Sequence, residues 1–219
     1  MSRRDRQGCD YDAYLPDPLA GWELVLPADL VADLSDAEAG IRRLNATGTS
    51  HVSLEGLARF LLRAESVASS KIEGLEAGPR RLLDAEVVLA QGGDAADRIA
   101  VEVLANVAAM EAAVELGSST DTITLDDLLG IHRTLMHRSS MPHIGGVVRT
   151  MQNWIGGSSY NPCSAAFVPP PPDTVDALLH DLLDYVNGDD HPVLVQAAIA
   201  HAEFDGLIWP RGDGLSWPH

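Results

Sequence analysis

The sequence is poor in basic residues and lacks long apolar runs. Only 15 Lys and Arg side chains stand against 32 Asp and Glu side chains, which gives a formal net charge of -17. This acidic excess excludes the basic surface that nucleic-acid binding requires and disfavours adsorption on anionic membranes. No run of about 18 apolar residues occurs, so the sequence predicts no membrane span. The basic N-terminus is not followed by an apolar segment, so no secretory signal is predicted.

Cysteine is also scarce, with Cys9 and Cys163 as the two occurrences. They stand far apart, without the short spacing typical of metal ligands, and two cysteines do not make a disulfide framework. The sequence therefore predicts two free thiols in a reducing cytosol and a cytoplasmic location.

What the sequence does contain is a set of helical patterns. Hydrophobic residues make up 46% of the chain and charged residues 21%, a balance typical of a packed core. Apolar residues recur at helical spacing in segments that begin near residues 29, 54, 79, 97, 124, 175 and 193. Thr124 and Asp127 have the spacing of a capping box at the start of one helix. The fold class predicted is all-α.

Residues 139–173 break this pattern, because they are rich in glycine and proline and show no helical period. Two β-prone runs, at 147–155 and 166–168, flank the pair Gly156 and Gly157, which predicts a two-stranded β-hairpin. An irregular connection of this length inside a compact domain is usually functional.

The residue types alone indicate little chemistry. The eight histidines are scattered, and His132 and His137 are five residues apart, which does not place two ligands on one helical face. Ser69, Glu73 and Gly74 form a polar turn at the end of an amphipathic helix, where Gly74 is suited to stop the helix. That turn is either a structural helix end or a functional site. The functional alternative is favoured by the carboxylate near the helix C-terminus, because it opposes the helix dipole.

Several segments together resemble one protein family. The pattern Ser69-x-x-x-Glu73-Gly74 resembles the inhibitory-helix motif of Fic proteins. The segment 145–157 resembles the target-docking flap of that family, and 167–172 with 196–204 resembles the approach to its catalytic loop. In the flap, the candidate docking residues are Gln152, Asn153, Trp154, Ile155 and Gly156.

This resemblance implies a Fic helical bundle with one β-hairpin flap. Residues 1–95 would form the N-terminal region, with the inhibitory helix at about 54–74, and residues 96–219 the core domain. Family members transfer AMP from ATP to a hydroxyl group of a target protein with the help of Mg²⁺. In them, a histidine of the loop HPFxDGNGR acts as general base, and the flap pairs with an extended target segment.

The sequence departs from the family where this loop is expected. Alignment on Pro210, Asp213 and Gly214 puts Trp209 at the histidine position, and an indole cannot accept a proton. Asp213 remains the candidate ligand for Mg²⁺, and Asp213 with Gly214 the candidate phosphate-binding remnant. His201 corresponds to a structural histidine on the preceding helix.

We therefore expect a chain that is degenerate after Phe204 and truncated at the catalytic loop, as a frameshift would produce, and that is catalytically inactive. No arginine follows position 211 to pair with Glu73. Exposed apolar faces would then favour low solubility or a homodimer. Two alternatives are a non-enzymatic regulatory or peptide-binding protein that uses the flap, and a nucleotide-binding module that retains phosphate affinity at Asp213.

Overall fold

The helices of the protein lie where the apolar pattern predicts them. The computed structural model describes residues 8–46, 52–72, 74–158 and 160–208. The α-helices are α1 (Ala28–Ala46), α2 (Val52–Ile72), α3 (Pro79–Ala90), α4 (Arg98–Ser119), α5 (Leu125–Met136), α6 (Pro172–Asn187) and α7 (Val193–Ile208). Two short 3₁₀ helices span Pro142–Ile144 and Pro162–Ser164. The predicted all-α class is confirmed.

Helix α5 begins at the predicted capping box. The amide of Asp127 donates to the Thr124 hydroxyl (3.3 Å), and the amide of Thr124 donates to the Asp127 carboxylate (2.9 Å). These bonds pair two of the amides that every helix N-terminus leaves without a partner inside the helix. The start of α5 is thus fixed by two side chains that the sequence identifies.

The chain forms two compact units. The helical unit comprises Asp29–Val147, and the flap unit comprises Met1–Ala28 together with Val148–His219. The predicted division near residue 95 stays a prediction, because compactness does not test where one family region ends.

Helix α4 is the centre of the helical unit and packs against α2, α3 and α5. Its buried residues follow two stripes at helical spacing: Ala100, Val103 and Val107 in one, and Val101, Ala105 and Ala109 in the other. A helix that is buried on more than one face needs small and apolar residues all round, which explains its Ala- and Val-rich sequence.

Helices α6 and α7 pack together in the flap unit. The buried residues of α6 lie on one face at the expected spacing: Val175, Leu179, Leu182, Leu183 and Tyr185. Gln196 of α7 closes the connection between the helices, because its Nε2 donates to the carbonyl oxygens of Tyr185 (2.7 Å) and Gly188 (2.9 Å).

The prediction of two free thiols is wrong. Cys9 and Cys163 form a disulfide, with their Cα atoms 5.7 Å apart, although 154 positions separate them in sequence. The two cysteines meet because the N-terminal segment runs beside residues 163–168, where the amide of Tyr14 also donates to the carbonyl oxygen of Val168. Spacing along the chain carries no information about such a contact.

The predicted two-stranded hairpin is also wrong in its extent. Among the described residues it amounts to one isolated antiparallel bridge, between Ile155 and Phe167. The second run continues directly into Pro169–Pro172, and proline has no amide hydrogen to donate to a ladder. The pairing therefore stops after one bridge.

Among the described residues, no helix has both the length and the apolar character needed to cross a membrane.

Candidate functional site

The flap consists of two extended legs that side chains hold together. We call residues 149–155 the first leg and residues 166–170 the second leg. The amide of Ile155 donates to the carbonyl oxygen of Phe167 (2.8 Å), and the amide of Ala166 donates to that of Ile155 (2.7 Å). Beyond this bridge, Gln152 Nε2 donates to the carbonyl oxygen of Pro169 (2.9 Å), so a side chain replaces the main-chain donor in the ladder.

Arg149 holds the two legs together one residue farther along the second leg, at Pro170. Its guanidinium donates to the carbonyl oxygen of Pro170 across the flap and to that of Met151 within the first leg (3.3 Å). Burial lowers the pKa of Arg149, since a charged group loses hydration there. The prolines lack donors but keep their acceptors, and Arg149 and Gln152 satisfy them.

The tip of the flap depends on close contacts of the main chain. Trp154 Nε1 donates to the carbonyl oxygen of Ser158 (2.7 Å), which folds the indole back on its own turn. Gly156 and Gly157 have φ values of 74° and 72°. A Cβ on Gly157 would overlap the carbonyl oxygen of Ser164, so the second glycine is required by space as well as by conformation.

The outer edge of the first leg is the part of the flap that faces away from the second leg. In an extended chain, consecutive residues direct their main-chain groups to opposite edges. Ile155 bonds to Phe167 through both its amide and its carbonyl, so the main-chain groups of Trp154 point to the outer edge. Met151 and Tyr160 are 79% and 57% exposed on the flap and add apolar surface.

The N-terminal segment 8–22, which we call the strap, lies against the second leg. The amide of Tyr14 donates to the carbonyl oxygen of Val168 (2.8 Å), and the rings of Tyr14 and Phe167 are 5.8 Å apart. Farther on, the amide of Leu19 donates to the carboxylate of Asp181 (2.7 Å). Val168 therefore bonds to the strap, while its neighbour Phe167 bonds to the first leg.

The strap lies in an acidic environment. Burial raises the pKa of the Tyr14 phenol, and the carboxylates of Glu203 and Asp17 raise it further. Burial also raises the pKa of Glu203, with a smaller contribution from Asp181. These carboxylates disfavour an additional negative charge beside the strap.

The second candidate region is the end of α2, which belongs to the helical unit. Gly74 has φ of 79°, and its amide donates to the carbonyl oxygen of Lys71 (3.0 Å). The amide of Leu75 donates to that of Ser70 (2.9 Å), which completes the pair of crossing bonds of a Schellman motif. Leu75 packs against the core of this unit, so the predicted glycine stop is confirmed.

A buried polar contact fixes the same part of α2 against α4. Ser66 and Ser70 are 0% and 2% exposed. Asn106 Nδ2 on α4 donates to the carbonyl oxygen of Ser66 (3.1 Å) and to the hydroxyl of Ser70 (2.9 Å). Ser66 and Ser70 are four residues apart and share one face of the helix. This contact sets the rotation of α2 directly before the Ser69–Gly74 motif.

The structure locates some of the predicted residues and not others. The flap residues Gln152, Asn153, Trp154, Ile155 and Gly156 lie in and beside the first leg, and their role in docking stays a prediction. Ser69 and Gly74 lie at the end of α2, and His201 is exposed on α7. Four predicted residues fall outside the described residues: Glu73, Trp209, Asp213 and Gly214. Within the described ranges no group of three His, Cys, Asp or Glu side chains is placed to hold a metal ion.

Several residues that shape these regions were not predicted from the sequence as parts of a site. Tyr14 contacts the second leg, Cys163 bonds to the strap although a free thiol was predicted, and Ser70 and Asn106 fix α2. The four-residue spacing of Ser66 and Ser70 was a readable signal. The remaining contacts join residues far apart in the chain.

Two family models match the chain. Residues 31–115 match the N-terminal region of the Fic/DOC family, and residues 122–207 match the Fic/DOC family itself. These stretches cover most of the chain. The chain belongs to the Fic/DOC family. The Fic/DOC match ends at residue 207, directly before the stretch where the sequence departs from the family loop.

Solved structures include a match of the same family, and a comparison with curated proteins finds no match. The match is a crystal structure of a Fic family protein from Desulfovibrio desulfuricans G20, with a TM-score of 0.57 and 22% sequence identity. It covers 84% of this chain and 53% of that chain, so this Fic/DOC chain spans about half the length of the relative. At this identity the match shows a shared fold.

Proposed function

We propose that this Fic/DOC protein docks an extended segment of a target protein at the outer edge of the flap and does not itself transfer AMP. The observation that carries the proposal is the antiparallel pairing of Ile155 with Phe167. This pairing holds the first leg extended and turns the main-chain groups of Trp154 outward. An extended edge of this kind binds a second extended chain through main-chain hydrogen bonds.

The surroundings of this edge favour docking of an apolar segment. Met151 is 79% exposed beside the edge. Removal of a methionine side chain from water is favourable, so a partner that covers Met151 would be stabilised by this contact. Methionine also adapts its shape to different partners. The indole of Trp154 bonds within the flap, so it supports the edge and is not the anchor for the target.

The sequence after α7 does not fit ATP and Mg²⁺. Trp209 replaces the loop histidine and has no lone pair to accept the proton of a target hydroxyl. Leu215 and Trp217 stand where the family has asparagine and arginine, so two polar contacts to a nucleotide are missing. Pro210, Asp213 and Gly214 keep the family identity, and we derive no reaction step through a nucleotide.

A labelling experiment tests the absence of transfer. Purified protein is incubated with labelled ATP, Mg²⁺ and a mixture of candidate target proteins, and the Glu73→Gly variant is treated in parallel. Because the indole of Trp209 cannot accept the proton of a target hydroxyl, we expect no incorporation by either protein. An active Fic enzyme serves as positive control. Incorporation above background by either protein would overturn this part of the proposal.

A second experiment tests docking at the flap. A displayed library of random peptides is selected on the purified protein, and binding of the enriched peptides is measured by fluorescence anisotropy. We expect Met151→Glu to weaken binding about tenfold, because a charge replaces apolar contact beside the edge. Val193→Glu, an equivalent change at a 70% exposed apolar position on α7, is the control and is expected to have no effect. Equal binding by both variants, or no enriched peptide, would contradict docking at this edge.

Calorimetry separates docking from residual nucleotide binding. Titration of ATP with Mg²⁺ into the protein is expected to give no binding heat. Saturable binding that Asp213→Ala abolishes would instead support a nucleotide-binding module.

The remaining features of the proposal concern partners and location. The partner is a protein segment and not a nucleic acid, in keeping with the charge of -17. The protein is proposed to act in the cytoplasm. A homodimer is proposed from the apolar face of α1, where Leu30, Ile41 and Leu44 are 43%, 45% and 76% exposed, and sedimentation velocity tests it.

A further inference from the structure

The disulfide between the two cysteines joins the strap to the segment that precedes the second leg, and it is accessible to solvent. Cys9 lies in the strap, and Cys163 lies in the 3₁₀ helix that precedes the second leg. Both residues are exposed. Thiol–disulfide exchange requires access to one of the sulfur atoms, and this disulfide meets that requirement.

Between Cys9 and Leu19, few contacts attach the strap to the second leg. Tyr14 provides a main-chain hydrogen bond to Val168 and a tilted ring contact with Phe167, but the residue is 46% exposed. Leu19, at the other end of the strap, is 6% exposed and bonded to Asp181. A covalent bond at Cys9 keeps the intervening residues close to the second leg, which raises their effective concentration there.

The position of the strap matters because it shares the second leg with the docking edge. Val168 accepts a hydrogen bond from the strap, and the adjacent Phe167 pairs with Ile155 of the first leg. The second leg is therefore the middle of three extended segments. Pro169 and Pro170 have no amide hydrogen, so the leg has few main-chain bonds to replace those of the strap.

We propose that the Cys9–Cys163 disulfide is a redox modification site, at which a dithiol reductant releases the strap from the second leg and weakens docking at the flap. The docking part rests on the proposed function above. The end of the strap at Leu19 stays bound to α6 in both states, so reduction frees residues 8–15 and leaves the helices in place.

The chemistry of the step is an ordinary exchange. One thiolate of the dithiol attacks a sulfur of the Cys9–Cys163 bond and forms a mixed disulfide, and the other cysteine leaves as a thiolate. The second thiol of the reductant then resolves the mixed disulfide. Two electrons pass from the dithiol to the protein, both cysteines take up protons as thiols, and the reductant becomes a disulfide.

Amide hydrogen exchange, read residue by residue by NMR, tests the release of the strap. Wild-type protein is compared in its oxidised form, after dithiothreitol, and after reoxidation with glutathione disulfide, with maleimide labelling to count free thiols. We expect two labelled thiols after dithiothreitol and exchange of the Tyr14 amide that is about tenfold faster or more, with smaller acceleration at Ile155. The amide of Leu182 on α6 is the internal control and is expected to keep its rate.

Cys9→Ser is the matched variant and is expected to exchange like the reduced wild type, with or without dithiothreitol. If this variant does not fold, the reversible cycle of the wild-type protein decides the question. Unlabelled cysteines after dithiothreitol under native conditions, or equal Tyr14 exchange in both forms, would overturn the proposal. Loss of protection at Leu182 as well would also overturn it, because the disulfide would then stabilise the whole unit.

A peptide enriched on the oxidised protein tests the link to docking. We expect its affinity to fall about fivefold or more on reduction and to return on reoxidation. Equal affinity in both forms, with faster Tyr14 exchange, would overturn the regulatory part alone. If no peptide binds either form, the docking function fails, and the exchange data still decide whether the strap is released.

Discussion

The helical unit and the flap unit are stabilised by different kinds of contact. In the helical unit, small apolar residues of α4 meet three neighbouring helices, and a buried Ser66–Ser70–Asn106 contact fixes the rotation of α2. In the flap unit, the functional part is an extended segment that Arg149 and Gln152 hold by bonds to proline carbonyls. The flap therefore depends on a few specific atoms, whereas the helical unit depends on many interchangeable apolar contacts.

This difference implies different responses to substitution. A helix surrounded by apolar neighbours distributes its stability over many contacts of about 0.1–0.2 kcal/mol each. A leg held by individual hydrogen bonds loses its shape when one of them, or the space it needs, is removed. The following substitutions test this contrast, beginning with the largest expected effect.

Gly157→Ala is expected to have the largest effect. The new Cβ would overlap the Ser164 carbonyl oxygen, and φ of 72° is unfavourable for alanine, so we expect a loss of about 3 kcal/mol in the stability of the flap. Amide exchange at Ile155 measures this loss. Gly130→Ala in α5, where a Cβ meets open space, is the matched control and is expected to stabilise the protein by about 0.5–1 kcal/mol. Equal effects of the two changes would remove the contrast between the units.

Asn106→Leu tests the polar contact between α2 and α4 in the helical unit. The change leaves the Ser70 hydroxyl buried without the Asn106 amide, and we expect a loss of about 2 kcal/mol in the free energy of unfolding, measured by urea denaturation. Ser118→Ala on the same helix removes an exposed hydroxyl and is expected to change stability by less than about 0.5 kcal/mol. A loss no larger than that of Ser118→Ala would show that apolar packing alone sets the position of α2.

Arg63→Ala tests a bidentate ion pair between α2 and α3. Arg63 Nη1 and Nη2 donate to the Glu86 carboxylate at 3.1 and 2.8 Å. Both side chains are about a third or more exposed, at 34% and 46%, so we expect a loss of about 0.5–1 kcal/mol at low salt. Arg80→Ala, at the looser pair with Asp84, is expected to leave stability unchanged.

The pH dependence of the same variant gives an independent check. The hydrogen bond from Arg63 lowers the pKa of Glu86 below its ordinary value of 4.5. The contribution of the pair is therefore complete above that ordinary value and is lost as the pH falls through the lowered pKa. The difference in stability between wild type and Arg63→Ala should vanish at low pH. A constant difference across this range would show that Arg63 acts through packing.

Glu203→Gln is expected to have the smallest effect, and of opposite sign. Burial raises the pKa of Glu203 above 4.5, so its ionised form destabilises the folded state at neutral pH. We expect the variant to be more stable by roughly 0.5 kcal/mol at pH 7, and the difference should shrink as the pH falls through the raised pKa. Thermal denaturation from pH 7 to pH 4 measures it, with the exposed Glu23→Gln as control. Lower stability of Glu203→Gln at pH 7 would contradict this account of the strap environment.

The helical unit was largely predictable from sequence. Periodic apolar residues indicate helices because the pattern is local, and the Thr124–Asp127 capping box and the Gly74 stop are encoded within a few residues. Ser69 and Gly74 of one family motif lie at the end of α2, and residues 152–156 of another lie in the flap, while their roles stay predictions. Local signals of this kind need no knowledge of the tertiary fold.

The flap was predictable in position but not in structure. Alternating β-prone residues indicate a hairpin, but Pro169 and Pro170 remove the donors that a second strand needs. The Cys9–Cys163 bond and the Tyr14–Val168 contact join residues about 150 positions apart, which no local pattern encodes. The role of Asn106 was missed for the same reason, since its partners lie on another helix.

The proline-rich second leg also limits how wide the flap can become. Exposed edge strands are templates on which further chains add, and the growth of such ladders underlies aggregation. Beyond Val168 this leg offers carbonyl oxygens that Gln152 and Arg149 already occupy, and it offers no amide hydrogens. A segment that pairs with Trp154 can therefore add on one side only. The prolines therefore leave one edge of the flap open to a partner segment and prevent a further chain from adding at the second leg.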